Sequence, residues 1–71
     1  MEMQSVTSTN ISEIGYDYES ATLRIIFLKG GMCYEYYSVP EEVYTGLMNA
    51  SSIGQYFDSN IRKAGYSYTK C

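Results

Sequence analysis

The stretch Gly30-Gly31-Met32-Cys33-Tyr34-Glu35-Tyr36-Tyr37-Ser38-Val39-Pro40 decides how this chain folds. Gly30-Gly31 suits a two-residue hairpin loop, because both positions tolerate the positive φ of a type I′ turn. Upstream runs Leu23-Arg24-Ile25-Ile26-Phe27-Leu28 and downstream Met32 to Val39, both rich in β-branched and aromatic residues. A loop at Gly30-Gly31 sets Phe27 against Tyr34, Ile25 against Tyr36 and Leu23 against Ser38. Strand side chains alternate, so Leu23, Ile25, Phe27, Tyr34 and Tyr36 share a core face. Arg24, Ile26, Leu28, Cys33, Glu35 and Tyr37 take the opposite, mixed face.

Working outward, Ile14, Tyr16 and Tyr18 alternate with Glu13, Gly15 and Asp17, the pattern of another strand. A four-residue connection pairs Asp17 with Thr22, Tyr16 with Leu23 and Ile14 with Ile25. These pairs fall on the core face that the second hairpin selects on its own. A three-stranded antiparallel meander follows. It becomes four-stranded if Ser5-Val6-Thr7-Ser8 adds an edge strand; otherwise residues 1–9 are a flexible start.

Pro40 ends the sheet. Ser38 with Glu41 reads as a capping box, Pro40 is tolerated in the first helical turn, and Glu41 and Glu42 suit the positive end of the helix dipole. The spacing of Pro40, Val43, Tyr44, Leu47 and Met48 predicts a short helix from about Pro40 to Asn49. Ser52 with Gln55 forms a second capping box, with Ile53, Phe57 and Ile61 along one line of the helix that follows. Arg62 and Lys63 fall in its last turn and Gly65 just past its end. Gly54, near the helix start, would let the two helices approach. Tyr66-Ser67-Tyr68 either lies against the domain or extends the sheet. The fold class is α+β, one domain over 1–71, with two short C-terminal helices packed on one face of the meander.

A domain this small buries only about 60% of its unfolded surface, so modest stability is expected. Nine tyrosines, two phenylalanines and no tryptophan make an unusual aromatic set, and the formal net charge is −3. A protein built mainly to grip nucleic acid carries a basic stripe, which the overall composition does not supply. The chain has no histidine, no metal-ligand pattern and no phosphate-binding glycine loop, so a non-catalytic protein without a cofactor or metal is expected. Cys33 is read as a small, half-buried apolar residue and Cys71 as a tail thiol, a disulfide between them being the lesser alternative. No apolar run reaches membrane-spanning length and no secretory leader is evident, so a cytoplasmic protein with no membrane partner is expected.

Two surfaces are candidates for binding. Arg62, Lys63, Tyr66, Tyr68 and Lys70 combine cations with aromatics, a pairing suited to phosphates and bases; the plainer reading is dipole compensation and a packed tail. Ile26, Leu28, Cys33 and Tyr37 on the outer sheet face suit a protein partner or a homodimer; single apolar surface residues are the plainer reading. Tyr34 and Tyr36 would also serve as stacking platforms, but the register arithmetic favours the core for both.

Taken together, Ile14-Gly15-Tyr16-Asp17, then Leu23, Ile25 and Phe27, then Tyr34-x-Tyr36 and Val39-Pro40-x-x-Val43-Tyr44-x-x-Leu47, and finally Ser52, Gly54, Tyr56-Phe57, Ile61-Arg62 and Tyr66-x-Tyr68 form an ordered set. With it the chain resembles the KTSC domain family from about Ile11 to Tyr68. That family is named for the C-terminal segment of some lysyl-tRNA synthetases and also occurs as small stand-alone proteins of bacteria and their phages. The resemblance implies a compact α+β accessory module for which RNA binding has been suggested. The function expected is thus an accessory binding module with weak RNA affinity, or alternatively a protein-interaction or self-association module.

Overall fold

The computed structural model describes residues Met1–Cys71. One antiparallel sheet carries five strands in chain order: β1 (Met3–Ser5), β2 (Ile11–Asp17), β3 (Thr22–Phe27), β4 (Cys33–Tyr36) and β5 (Tyr68–Lys70). Two helices, α1 (Glu41–Met48) and α2 (Ile53–Asn60), intervene between β4 and β5 and cover one face of the sheet. The α+β class and the paired helices agree with the sequence reading, but the sheet has five strands rather than three or four. The extra two come from the ends. The N-terminal edge strand forms at Met3–Ser5, two residues earlier than expected, opposite Glu13, Ile14 and Gly15. The tail supplies the other: Tyr68 pairs with Tyr36, Thr69 with Glu35 and Lys70 with Tyr34.

The β2–β3 register is the expected one, with Asp17 opposite Thr22, Tyr16 opposite Leu23 and Ile14 opposite Ile25. Asp17 closes the turn by accepting from the Glu19 N–H at 3.2 Å and the Ser20 hydroxyl at 2.8 Å. A bulge between Ile11 and Glu13 brings Ile11 opposite Phe27. Simple alternation from Ile14 would have turned Ile11 outward; the extra residue returns it to the core, where it is fully buried.

The β3–β4 register corrects the expected hairpin. Ile25 faces Tyr34 and Leu23 faces Tyr36, a slide of two residues. The connection is four residues long, Leu28–Gly31, closed by the Phe27 N–H donating to the Met32 carbonyl at 2.8 Å. Both glycines hold positive φ, 71° at Gly30 and 61° at Gly31, but at the end of a 3₁₀ turn and not in a type I′ loop. Leu28 adopts helical angles and donates its N–H to the Asn10 carbonyl, so it has left the sheet. A slide of two preserves the alternation, and the core face therefore stays as read.

The entry to α1 also differs. Ser38 sits at φ 58° and makes no cap; the helix starts after Pro40 without a side-chain cap. Fully buried Val39 holds the entry instead. Its N–H donates to the Ala21 carbonyl at 2.9 Å, and its carbonyl accepts the Tyr16 hydroxyl at 2.5 Å. At α2 the expected cap is present, the Ser52 hydroxyl accepting from the Gln55 N–H at 3.4 Å. Arg62–Ala64 form a 3₁₀ turn after α2, ended by Gly65 at φ 89°. The helices meet at Gly46, where a Cβ would lie 2.7 Å from Tyr56 Cζ; the nearest neighbour of Gly54 is Asn10. The core joins Ile11, Ile14, Tyr16, Leu23, Ile25 and Tyr36 of the sheet to Val39, Leu47, Phe57 and Ile61.

Cys33 and Cys71 form a disulfide, which corrects the reading of two free thiols. Docking of β5 sets Cys71 beside Cys33, its N–H donating to the Cys33 carbonyl at 2.9 Å, and brings their Cα atoms to 5.2 Å. That lies within disulfide reach, a proximity concealed by the long sequence separation. No helix is long and apolar enough to cross a membrane.

Candidate functional site

On the core face of β4 and β5 cover is incomplete, Tyr34 being half-buried and Tyr68 exposed. There Phe27, Tyr34, Tyr36, Tyr68 and Arg62 line a groove of about 420 Å³. Adjacent strands build it. Tyr34 and Tyr36 project from β4 on the core face, and β5 sets Tyr68 directly opposite Tyr36. The Tyr36–Tyr68 ring centroids are 5.4 Å apart with planes tilted by 32°; Tyr34 meets Tyr68 at 5.9 Å and Phe27 at 5.8 Å, both edge to face. Phe57 of α2 backs the groove, 5.5 Å from Phe27 and 5.6 Å from Tyr36. Tyr36 is buried in its floor, Tyr34 half-buried, and Tyr68 is an exposed wall. Burial pushes the Tyr36 hydroxyl pKa up, with Tyr68 and Tyr34 adding to the shift and Arg62 opposing it.

The expected nucleic-acid residues separate. Arg62 and Tyr68 line the groove, and Lys70, opposite Tyr34 in the register, stands on the same sheet face. Tyr66 instead packs half-buried against the core. Lys63 does not line the groove; its ammonium lies 3.2 Å from Asp58. Asp58 also accepts from Arg62 Nε at 2.5 Å, one turn along the chain. Hydrogen bonds from Arg62 and then Lys63 hold the Asp58 carboxyl below its ordinary pKa. Both cations of the pair are thus already partnered by one exposed carboxylate.

Phe27 is a site residue that sequence reasoning assigned to the core, as it preferred for Tyr34 and Tyr36 over their alternative as stacking platforms. The Tyr34-x-Tyr36 alternation was visible. What it could not convey is that Tyr68 docks beside these core-face tyrosines and that together with Arg62 they line a groove.

The expected protein-interaction residues do not form one patch. Ile26 and Cys33 are opposite each other and half-buried on the outer face, but Cys33 is in the disulfide. The Tyr37 hydroxyl donates to Glu35 at 3.3 Å and lies 2.5 Å from the Thr69 hydroxyl, while Glu35 pairs with Arg24. Leu28 lies off the sheet in the hairpin loop, exposed beside Met32. Met1 and Met3 lie over Gly15. No cluster of three His, Cys, Asp or Glu side chains is placed to hold a metal ion.

The sequence pattern of the KTSC domain matches residues 7–66. The chain belongs to the KTSC domain family. It is 32% identical over 68 residues to an uncharacterized protein of Stutzerimonas stutzeri, a match covering 96% of this chain and 94% of the relative. A protein of Tsukamurella paurometabola is 38% identical over 60 residues, covering 84% and 88% respectively. The crystal structure of a KTSC domain protein from Yersinia pestis superposes with a TM-score of 0.91 at 37% identity, over 99% of this chain and 96% of that one. The KTSC match takes in β2 to α2 and stops at Tyr66. The groove wall Tyr68, with Lys70 and Cys71, lies beyond it.

Proposed function

We propose that this KTSC domain is a non-catalytic accessory module of the cytoplasm that binds unpaired RNA bases in the groove between β4, β5 and the turn after α2. The observation that carries this reading is the placement of the Arg62 guanidinium beside Tyr34, Tyr36 and Tyr68 in one open groove. Tyr68 presents an exposed aromatic face and Tyr34 a half-exposed one, and stacking a base on such a face contributes about 1–3 kcal/mol without regard to sequence. Arg62 and Lys70 supply cations for the adjoining phosphates. With a net charge of −3 and Asp58 competing for Arg62, binding is weak and falls steeply with salt.

The test is an NMR amide-shift titration of the oxidised, isotope-labelled protein with a short oligouridylate, at low and at physiological salt. Shifts confined to Tyr34, Tyr36, Arg62, Tyr68 and Lys70, fading as salt rises, are expected. An unchanged spectrum at low salt overturns the reading. It would turn attention to the alternative, self-association through the outer face, which a dimer mass in light scattering at high concentration would support.

A further inference from the structure

The Cys33–Cys71 bond fastens the strand that forms one wall of the groove. β5 is three residues long and exposed throughout. It lies at the sheet edge, joined to β4 alone. Around the disulfide its links to β4 are backbone hydrogen bonds, among them Tyr37 N–H to Ser67 carbonyl and Cys71 N–H to Cys33 carbonyl. Two side-chain contacts add to them: the Tyr37–Thr69 hydroxyl pair and the rings of Tyr68, Tyr34 and Tyr36. No residue of β5 belongs to the buried core, which closes through β2, β3, β4 and both helices. Short, exposed edge segments of this kind open at little cost while the core stays folded. Cys71 is an exposed residue.

We infer that the disulfide is a reversible latch on the groove. A thiolate of a dithiol reductant attacks Cys71 Sγ, the S–S bond breaks and Cys33 leaves as a thiolate that takes up a proton. The second thiol of the reductant then displaces Cys71, so that two protein thiols form and the reductant ends as a disulfide. Reduction frees β5, and Tyr68 and Lys70 leave the groove while the remaining fold persists. In a cytoplasm, where thiols are kept reduced, the groove is then dismantled at rest and assembled under oxidation. This latch rests on the proposed RNA site for its meaning, but its mechanics do not depend on it.

The experiment compares the full chain, oxidised and after dithiothreitol, with the variant Cys71→Ser. Amide hydrogen exchange reports the strand, and fluorescence anisotropy with a labelled oligouridylate reports the groove. Reduction is expected to accelerate exchange at Thr69 and Cys71 by about tenfold or more, with Ile14, Leu23 and Ile25 unchanged. The Cys71→Ser variant should show the same loss at Thr69. Affinity should fall about tenfold in both, from the loss of one stacking face. Unaltered Thr69 exchange in both forms overturns the latch. So does loss of protection at Ile14 and Ile25 as well, since the bond would then be a staple for the whole fold. Release of β5 in a protein that binds no RNA even when oxidised upholds the latch and removes only the proposed ligand.

Discussion

Tyr36 and Tyr68 face each other across the β4–β5 pair with ring centroids 5.4 Å apart, yet Tyr36 is 5% exposed and Tyr68 59%. One ring belongs to the core and the other to the surface, so the two should separate stability from binding. Tyr36→Ala is expected to cost about 3–5 kcal/mol, as for a buried phenylalanine, and to leave a large unfolded fraction. Tyr68→Ala should lower stability by under about 1 kcal/mol, as surface changes do. It should nevertheless weaken oligouridylate binding about tenfold. Urea unfolding and anisotropy on the two variants check both halves.

Asp58 pairs with both Arg62 and Lys63 and, in the proposed RNA complex, competes with phosphate for them. Asp58→Asn should therefore strengthen RNA binding, by about threefold at low salt, and steepen the salt dependence by about 0.7 in slope for each additional phosphate neutralised. A salt titration by anisotropy measures this directly. Weaker binding in the variant would mean that Asp58 positions Arg62 for the ligand and does not compete with it.

The Tyr16 hydroxyl reaches across from β2 to the Val39 carbonyl, 2.5 Å away in the buried region before α1. Tyr16→Phe keeps the ring and its stacking on Tyr44, whose centroid is 4.7 Å away. It leaves the carbonyl without that donor. A loss of about 1–3 kcal/mol is expected, seen as a lower urea midpoint with an unchanged m-value.

At Gly46 two effects oppose each other. Alanine has a helix propensity about 1 kcal/mol better than glycine. Its Cβ would lie 2.7 Å from Tyr56 Cζ, where the two helices meet. Overpacking of this kind costs about 1–3 kcal/mol, so net destabilisation of Gly46→Ala is expected in thermal unfolding. Trimming the far end of the obstruction with Tyr56→Phe should recover part of it.

Stability should fall at both ends of the pH scale. Burial, first of all, raises the Tyr16, Tyr36 and Tyr44 pKa values. Their contribution is complete below the ordinary tyrosine value of about 10 and is lost as pH climbs from there through the raised folded values. Asp17 and Asp58 are lowered, chiefly by hydrogen bonds from Ser20 and Arg62 respectively. Their contribution is present above the ordinary carboxylate value of about 3.9 and is lost as pH falls through the lowered values. Urea midpoints measured across the range should show a plateau between these limits, with the acid-side loss small because both carboxylates are exposed.

Much of the fold was legible because it is set by local periodicity. The alternation of Ile14 and Tyr16, of Leu23 and Ile25, and of Tyr34 and Tyr36 names the core face under any even slide of register. The β3–β4 slide of two residues therefore moved the pairs without moving the face. The Ser52 cap depends on a few neighbouring residues and was equally readable, whereas α2 ends at Asn60, before Arg62 and Lys63, and Gly65 closes a separate 3₁₀ turn. The Ser38 capping box failed because Val39, buried and bonded to Ala21 and Tyr16, already fixed where the helix begins.

By itself, then, the sequence determined which residues are apolar on which face of each element, and so the α+β class and the core. Only the tertiary structure decided that residues 68–70 dock on β4, that Cys71 meets Cys33, and that Tyr34 and Tyr68 line an open groove beside Arg62. The reason is physical. Periodicity is a property of neighbouring residues, whereas a free sheet edge and the area the helices leave uncovered exist only once distant segments have been packed together.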